Sequence, residues 1–344
     1  MTMTLANRLF KKNRFHCSKD TSPTHYQLVQ FMQAAGLRHT SWAWRAAFTE
    51  RNLNFAPDAC ECLEFKHYLA KMSQLYCPMV MPETFVFDEF SWPTTLSDIA
   101  ELHYTTRGIL QDHVDGLAWI LKPALLNNGQ HIKIFDRLSG IEEHFLLPQH
   151  LGGPHVLQRY ILDPDLYDGR KYSMRFFVVL TQEEGAFLYP HGYLNVALNP
   201  YSSTDFTKLS AHLTNEHLDG HASSVVQIPT TEVAAYATWF PQIQSITKAV
   251  TDGLERAFPH AYHPKKERTF AIFGFDFMLD CQQRAWLLEV NHGPCFPTER
   301  THPIQNAVYG PFWQALVAQF VTPIATHQPF PKDGGVLFQS LRGF

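Results

Sequence analysis

The chain has 344 residues, of which 45% are hydrophobic and 17% are charged, and it carries a net charge of −4 at pH 7. This composition predicts a globular protein with a large core and excludes an intrinsically disordered one. No apolar run reaches the roughly 18 residues that cross a bilayer, and the N-terminal segment lacks the apolar stretch of a secretory signal. We therefore expect a cytoplasmic protein that does not bind a membrane.

The charge is unevenly distributed along the chain. Residues 1–51 contain eight basic and two acidic side chains, a net +6, so the other 293 residues carry −10. Such a basic end either attracts an acidic partner or is an ordinary solvated surface. It includes no nucleic-acid-binding motif, so we expect no nucleic-acid partner. The six cysteines show no zinc-type spacing and are expected to be free thiols.

The predicted elements begin with helices and continue as a mixture of strands and helices. Apolar residues recur at helical spacing in 27–37 and 59–75, and a break follows where Pro78 and Pro82 bracket an extended stretch. The elements expected after this break are a strand at 84–87, a helix at 96–104, strands at 117–121, 132–135, 156–161, 174–180 and 186–189, a helix at 231–257, strands at 270–279 and 285–290, and a helix at 304–321 stopped by Pro323. The order lacks strict β–α–β alternation, which predicts α+β lobes with largely antiparallel sheets.

The two strongest strand patterns form a predicted hairpin. The apolar runs 270–279 and 285–290 flank the polar connection 280–284. If Leu279 pairs with Trp286, counting along the antiparallel strands fixes the partner of every other residue in the hairpin.

This register brings three oxygen-bearing side chains to one face. Asp276 lies opposite Glu289, and Asn291 lies two residues further along, on the same face as Glu289. Two opposed carboxylates within apolar strands repel each other and are costly to bury. A bound cation relieves this conflict, and two carboxylates with an amide oxygen suit magnesium. In the alternative interpretation this face is wet and the acids are paired with lysines.

Five sequence blocks, in a constant order across residues 81–296, resemble the tubulin–tyrosine ligase family. The hairpin, with Phe273-Gly-Phe-Asp-Phe-Met-Leu-Asp280 and Trp286-Leu-Leu-Glu-Val-Asn291, is similar to the C-terminal signature of that family. The other four blocks are Met81-Pro-Glu-Thr-Phe85, Trp119-Ile-Leu-Lys-Pro123, Gln158-Arg-Tyr-Ile161 continuing to Gly169-Arg-Lys-Tyr-Ser-Met-Arg175, and His212-Leu-Thr-Asn215.

The resemblance implies an ATP-grasp fold, in which two α+β lobes hold ATP behind a small N-terminal domain. The corresponding division is an N-terminal partner-binding or acceptor-binding domain at 1–80, a central lobe at 81–157, a C-terminal lobe at 158–325 and a tail at 326–344. The implied activity is that of an ATP- and Mg²⁺-dependent ligase, which joins an amino acid to an acidic peptide or protein through an acyl-phosphate. Two alternatives are a pseudoenzyme that binds nucleotide or a protein partner without ligating, and a ligase for a small peptide or metabolite.

The resemblance also assigns roles to individual residues. The residues implied to bind ATP are Lys122, Gly129, Gln130, His131, Gln158, Arg159, Tyr160, Ile161, Lys171, Ser173, Thr214 and Asn215. The implied catalytic residues are Lys171, Arg175 and Glu289, the metal ligands are Asp276, Glu289 and Asn291, and the residues for the incoming amino acid are Asn195, Glu216 and His217. In other interpretations Lys122 is a solvated surface charge, Lys171 and Arg175 protect a sheet edge, and 158–161 is a plain buried strand.

The sequence departs from the family pattern in the predicted substrate pocket. Ser173 stands where the family usually has Asp, and Asn195 stands where it has Arg. Gln130 and His131 replace an Arg-Gly pair in the glycine-rich loop. Replacing a guanidinium with an amide removes a bidentate carboxylate clamp, so the amino-acid pocket is expected to differ from that of the relatives.

Overall fold

The protein is described by a computed structural model over residues 11–18, 22–214, 225–263, 267–297, 301–331 and 338–342. Helices are mixed with sheets throughout, and strand pairing is antiparallel except in one small sheet near the N-terminus. The predicted α+β class with largely antiparallel sheets is therefore confirmed. The four-part domain division stays a prediction.

Helices are interspersed with the strands along the described part of the chain. Within the described residues the α-helices are α1 (Pro23–Ala34), α2 (Pro57–Glu64), α3 (Lys66–Tyr76), α4 (Trp92–Ile99), α5 (Leu138–Leu146), α6 (Tyr236–Ala257), α7 (Gly310–Leu316) and α8 (Thr322–Thr326). The helix predicted over 59–75 is two helices, because Phe65 has an extended backbone between α2 and α3.

The last helical run does not stop at Pro323 as predicted. A π-helical turn at Val317–Val321 leads directly into α8, and Pro323 lies in the first turn of that segment. A proline is tolerated there because its missing N–H would have no intrahelical partner. The run ends at His327, whose φ of 59° is left-handed.

Strands form two sheets of functional interest and two small ones. The small sheets contain β1 (Arg14–His16), β2 (Arg38–His39) and β3 (Phe48–Thr49), and the hairpin β5 (Thr105–Thr106) and β6 (Ile109–Leu110). Of the two larger ones, the four-stranded sheet has the order β4 (Thr84–Phe87), β9 (His155–Arg159), β7 (Trp119–Pro123) and β8 (Lys133–Phe135). The large sheet contains β10 (Leu166–Tyr167), β11 (Arg170–Thr181), β12 (Gly185–Leu188), β13 (Tyr193–Ala197), β14 (Val225–Pro229), β15 (Phe270–Leu279), β16 (Ala285–His292) and β17 (Gln339–Ser340).

Strand β11 organises the large sheet. Its first half pairs with β13 and its second half with β12, while β15 runs antiparallel along its other edge. Phe176 packs in a core with Trp239 and Leu254 of α6, and Phe177 packs on the opposite face with Phe312 of α7. Both faces are therefore buried, which explains why the second half of β11 is apolar without alternation.

Helices α4 and α5 cover one face of the four-stranded sheet. Trp119 and Leu121 of β7 pack with Ile141 of α5, in a core shared with α4. Ile120 and Lys122, which alternate with them, face a cavity between this sheet and the large sheet. The alternation along β7 thus separates a structural face from a face that can hold a ligand.

Candidate functional site

A cavity of about 570 Å³ lies between the two larger sheets. Of the sequence-predicted site residues that the structure describes, its walls include Lys122, Gly129, Gln130, Gln158, Arg159, Tyr160, Ile161, Lys171, Ser173, Arg175, Asn195, Thr214, Asp276, Glu289 and Asn291. His131 is exposed in the loop beside Gln130. The predicted residues Asn215, Glu216 and His217 lie outside the described residues.

The floor of the cavity is built by alternation along β11. Lys171, Ser173 and Arg175 are two residues apart and share the face of the strand that lines the cavity. All three are largely buried, which excludes the interpretation of Lys171 and Arg175 as sheet-edge charges. Arg175 pairs with Tyr193 on one side and with Asp276 on the other.

The hairpin brings the two acids together by a register different from the predicted one. Leu279 pairs with Ala285 rather than with Trp286, and a β-bulge between Asp276 and Phe277 then shifts the register by one residue. Asp276 consequently lies opposite Glu289, as predicted. The predicted register therefore gave the correct partner for Asp276 although it began from an incorrect pair, Leu279 with Trp286. The sequence did not reveal the bulge, because its extra residue gives no clear signal in an apolar run.

Asp276, Glu289 and Asn291 converge at one end of the cavity. Arg175 donates to both carboxylate oxygens of Asp276, with Nε 2.5 Å from Oδ1 and Nη2 2.7 Å from Oδ2. The Asn291 amide donates to Asp276 Oδ2 at 3.0 Å and to Glu289 Oε1 at 3.5 Å. Lys66 Nζ lies 3.9 Å from Glu289 Oε2.

Burial and neighbouring charges shift the pKa values of Asp276 and Glu289 in opposite directions. Burial raises the pKa of Asp276 to about 6, although the Arg175 guanidinium favours its charged form. Burial also opposes the charge of Glu289, but Lys66, Lys122 and Arg175 together outweigh it and lower the pKa of Glu289. Burial thus opposes a negative charge on both acids, and the neighbouring basic groups offset this more fully for Glu289 than for Asp276.

Gly274 makes room for the arginine that holds Asp276. A Cβ at this position would lie 2.9 Å from Cδ and from Nη1 of Arg175, closer than side chains tolerate. The Arg175 side chain thus crosses the bare backbone of β15 to reach Asp276. Sequence reasoning missed this role, although the glycine inside the apolar strand is a signal of close approach by another group.

The opposite wall carries two buried lysines. Lys122, only 7% exposed, donates from Nζ to Gln158 Oε1 at 2.9 Å, and the Gln158 amide donates in turn to Thr84 Oγ1. Burial lowers the pKa of Lys122 to about 8. Lys66, at the start of α3, donates to the carbonyl of Leu126 at 2.7 Å. The burial of Lys122 excludes a solvated surface charge, and its role in binding ATP stays a prediction.

Lys66 was not predicted from the sequence. A Lys at the start of a helix has no local feature that separates it from a solvated charge. Only its 9% exposure and its approach to Glu289 show that it belongs to the cavity.

Lys171 is held by a chain of hydrogen bonds rather than by an acid. His212 Nε2 donates to the carbonyl of Asp205 at 2.7 Å, so its Nδ1 accepts from the Tyr160 hydroxyl at 2.8 Å. The Tyr160 oxygen in turn accepts from Lys171 Nζ at 2.6 Å. Burial, assisted by Lys122, lowers the pKa of Lys171 well below its usual value. Because its hydrogen-bond partner is neutral, an anion from a ligand would favour the charged form of Lys171.

The predicted hinge 158–161 is only partly a strand. β9 ends at Arg159, and Tyr160 continues the backbone pairing through its N–H, which donates to the carbonyl of Ala118 at 2.8 Å. Gln158 and Tyr160 are buried, whereas the Arg159 side chain is exposed.

The predicted glycine-rich loop has an unusual backbone. Asn128, Gly129 and His131 have positive φ values of 56°, 74° and 56°. Gly129 takes this conformation at no steric cost, whereas His131 takes it as a strained residue. The loop joins β7 to β8 and lines the cavity through 128–130.

Among the described residues no cluster of three or more His, Cys, Asp or Glu side chains could hold a metal. The six cysteines are free thiols, as predicted, and four of them are buried. No helix in the described part of the chain is long and apolar enough to cross a membrane.

Comparison with known proteins decides the family. The profile of the "Tubulin-tyrosine ligase family" matches residues 55–329. The chain belongs to the tubulin–tyrosine ligase family. This confirms the resemblance that the sequence blocks indicated, and the match extends upstream of those blocks to include α2 and α3.

Curated relatives from this family match parts of the chain. It is 27% identical over 174 residues to tubulin polyglutamylase TTLL6 of Mus musculus, and 30% identical over 176 residues to tubulin polyglutamylase TTLL13 of the same species. Each alignment covers 43% of this chain, and 21% and 22% of the two relatives. A probable tubulin–tyrosine ligase of Schizosaccharomyces pombe is 26% identical over 266 residues, covering 67% of this chain and 66% of that protein. The chain thus spans less than two thirds of the length of each of these family members.

Proposed function

We propose that this family member is an ATP- and Mg²⁺-dependent carboxylate–amine ligase with an ATP-grasp arrangement, which adds an amino acid or related amine to a peptide or protein carboxylate. One observation carries the proposal: four basic side chains, one buried acid and one partly buried acid converge on one cavity between two antiparallel sheets. The basic residues are Lys66, Lys122, Lys171 and Arg175, and the acids are Asp276 and Glu289.

The distribution of charge in the cavity fits a nucleotide. Lys122 and Lys171 come from different sheets, are buried, and have neutral hydrogen-bond partners, Gln158 and Tyr160. A polyphosphate would supply the anionic partner that these ammonium groups lack in their own hydrogen bonds. The loop at 128–130 would approach the phosphates with its backbone, and the segment 158–161 would border the base.

The residues at the acidic end also fit magnesium. Mg²⁺ is usually bound through one or two carboxylates together with phosphate oxygens and water, rather than by a complete protein cage. Asp276 and Glu289 supply the carboxylates, and Asn291, which already contacts both, supplies an amide that can present its oxygen. When bound there, the cation would neutralise charge that develops on the transferred phosphoryl group.

The chain's own residues then account for a two-step reaction. The acceptor carboxylate would attack the terminal phosphate of ATP, releasing ADP and forming an acyl-phosphate beside Lys171 and Arg175. The uncharged amine would next attack the acyl carbon, forming an amide bond and releasing phosphate. No side chain needs to form a covalent bond with substrate.

The N-terminal sheet supports an acidic acceptor. Arg14 and Arg38 are paired residues of the neighbouring strands β1 and β2, so two like charges stand side by side. Lys11 and Lys12 precede them. We propose that these basic residues attract an acidic segment of the acceptor.

The test is a ligation assay with the full chain. The protein is incubated with ATP, Mg²⁺, a pool of amino acids and acidic peptides, and the peptides are analysed by mass spectrometry. A mass increase equal to one or more amino acids supports the proposal. ADP release that needs only a small acceptor supports a metabolite ligase instead, and nucleotide binding without any product identifies a pseudoenzyme and overturns the proposal.

A further inference from the structure

A second cavity, of about 1130 Å³, lies behind the segment 159–161 that borders the first one. Its wall combines the second half of α3 and residues between 77 and 86 with the turn of the β15–β16 hairpin. Gln158 contacts Lys122 in the first cavity, so the side chain of Arg159, the next residue of β9, points to the other face of the sheet. The segment therefore separates two cavities that open on different sides of it.

Backbone hydrogen bonds between distant parts of the chain fix the wall of the second cavity. The Leu287 N–H donates to the carbonyl of Val80 at 2.8 Å, and the Cys281 N–H donates to the carbonyl of Asp163 at 2.7 Å. Val80 precedes β4 and Asp163 follows β9, so these bonds join the hairpin of the large sheet to segments that flank the four-stranded sheet. The cavity is therefore pre-formed, as ligand-binding cavities usually are.

Much of the wall is apolar. Met79, Met81, Leu102 and Trp286 line it, and Met79 and Leu102 are 69% and 62% exposed. Methionine side chains are flexible and polarisable, so they adapt to apolar groups of different shapes. Exposed apolar side chains on a concave surface are typical of a binding site. The cavity therefore suits a ligand with an apolar body.

The guanidinium groups of the wall have unused hydrogen-bond donors. Neither Arg159 nor Arg284 forms an ion pair with a described residue, and the side chain of Arg284 donates to the carbonyl of Met79 at 3.3 Å. Arg284 also packs over the Trp286 ring at 3.8 Å, which fixes the guanidinium while its other N–H groups stay available. Such groups bind carboxylate, sulfonate or phosphate oxygens strongly.

The acids of the wall do not use these donors. Glu83 lies 2.8 Å from the ring of His103, and Asp280 accepts three hydrogen bonds, two of them from backbone N–H groups. Lys71 and Asp163 are exposed and carry opposite charges. The two arginines are thus the groups of the wall that an anionic ligand would satisfy.

We propose that this cavity is a second ligand site and that it takes an anion with an apolar body. The acidic group pairs with the guanidinium groups of Arg159 and Arg284, and the apolar part packs against Met79, Met81 and Leu102. The proposal goes beyond the ligase function and needs no turnover. A chain that binds such an anion but does not ligate would therefore contradict the proposed function alone.

Two probes that differ only in a sulfonate group test the site. The full chain is titrated with anilinonaphthalene sulfonate and with the neutral N-phenylnaphthylamine, whose fluorescence increases in apolar surroundings. We expect the sulfonate to bind about tenfold more tightly, because it alone accepts charge-assisted hydrogen bonds. Equal affinities, tighter binding of the neutral probe, or no binding of the sulfonate overturns the inference.

Two exposed thiols report where the sulfonate binds. Cys281 lines the second cavity, and Cys295 lines the first. The sulfonate at about ten times its Kd should slow alkylation of Cys281 by N-ethylmaleimide about tenfold, because the bound probe covers this thiol. The rate at Cys295, followed by mass spectrometry of the peptides in the same sample, should not change. Protection of Cys295, or of neither thiol, contradicts the assignment.

A substitution in the wall tests the role of the guanidinium. Arg284→Gln should weaken binding of the sulfonate about tenfold and leave the neutral probe unaffected, because only the charge-assisted bonds are lost. Arg107→Gln is the matched control, since Arg107 is exposed and belongs to neither cavity wall. Both affinities should stay unchanged in the control. An unchanged sulfonate affinity in Arg284→Gln, or an equal loss in the control, would overturn the pairing.

Discussion

Glu289 is the residue on which the proposed chemistry depends most directly. It lies opposite Asp276, contacts the Asn291 amide and is 3.9 Å from Lys66. Burial opposes its charge, but Lys66, Lys122 and Arg175 outweigh this effect and lower its pKa, so its ionised form is favoured. Its charge is therefore available to a cation.

We predict that Glu289→Gln lowers ligation by on the order of 100-fold or more, because one of two metal-binding charges is lost while shape is preserved. The rate is measured by mass spectrometry of the acceptor, and circular dichroism monitors folding. Glu142→Gln, an exposed carboxylate on α5, is the matched control. Ligation by Glu289→Gln at the wild-type rate would remove this residue from the mechanism.

Gly274 has a packing role that can be measured separately from activity. We predict that Gly274→Ala destabilises the protein by about 1–3 kcal/mol, since its Cβ would displace Arg175 from the path to Asp276. Urea unfolding of a double-mutant cycle with Arg175→Ala tests the cause. The cost of Gly274→Ala should shrink when Arg175 is already absent. An equal cost in both backgrounds would show that the glycine acts through something else.

Lys122 should make nucleotide binding dependent on pH. Burial lowers its pKa from 10.5 to about 8, so the folded state disfavours the charged form. The resulting stability cost is complete below pH 8 and disappears as pH rises from about 8 towards 10.5, because only the unfolded chain retains the proton in that range. A phosphate ligand requires the charged form.

We therefore expect the Kd for an ATP analogue to increase about tenfold between pH 7 and pH 9, as Lys122 loses its proton. Calorimetric titrations across this range measure the effect. Lys122→Arg, which keeps its charge throughout, should have a flatter profile whatever its absolute affinity. A profile of the same steepness in this variant would assign the pH dependence to another group.

At the scale of elements, the N-terminal sheet combines a structural and a proposed binding role. Phe15 and Phe48 pack with the C-terminal helices, which fixes β1 and β3 against the rest of the protein. Lys11 and Lys12 precede this anchored sheet, and Arg38 lies beside Arg14 on it. The basic residues are thus presented from a rigid support.

Charge reversal tests whether this surface contacts the acceptor. We predict that changing Lys11, Lys12 and Arg14 to Glu weakens binding of an acidic peptide by about tenfold or more and makes the remaining affinity less sensitive to salt. Fluorescence anisotropy of a labelled peptide at two ionic strengths provides the measurement. Reversal of the exposed Lys71, Arg107 and Arg137 changes the net charge equally and serves as the control. An unchanged affinity in the N-terminal variant would refute the contact.

At the scale of the whole molecule, the cavity couples two sheets that have separate cores. The four-stranded sheet packs on α4 and α5, and the large sheet packs on α6 and the C-terminal helices. A ligand held by Lys122 from one sheet and Lys171 from the other would bridge them. Its binding should therefore stabilise the protein as a unit.

We predict that an ATP analogue with Mg²⁺ at 100 times its Kd raises the free energy of unfolding by about 2.7 kcal/mol. Differential scanning calorimetry measures the corresponding rise in Tm. Adenosine at the same concentration should have a much smaller effect, because it lacks the phosphates that the buried lysines would bind. An equal shift with adenosine, or no shift with the analogue, would contradict the bridging role.

The sequence alone correctly predicted those features whose sequence signal is local. Lys122, Lys171 and Arg175, which the motifs singled out, line one cavity, and their roles stay predictions. The apolar runs of the hairpin predicted two strands, and the motifs predicted the family. These predictions succeeded because alternation in a strand and spacing within a motif depend on neighbouring residues only. The α+β class followed from the order of elements in the same way.

Tertiary structure decided what depends on residues far apart in the chain. It placed Lys66 beside Glu289, brought the Arg175 side chain across Gly274, and paired Ser173 with Asn195 on neighbouring strands. It also corrected the hairpin register by a bulge and carried the last helix past Pro323. For Lys66, Gly274 and the pair of Ser173 and Asn195, the deciding energy comes from packing, burial or pairing across the fold, and no stretch of sequence contains both partners in a readable pattern.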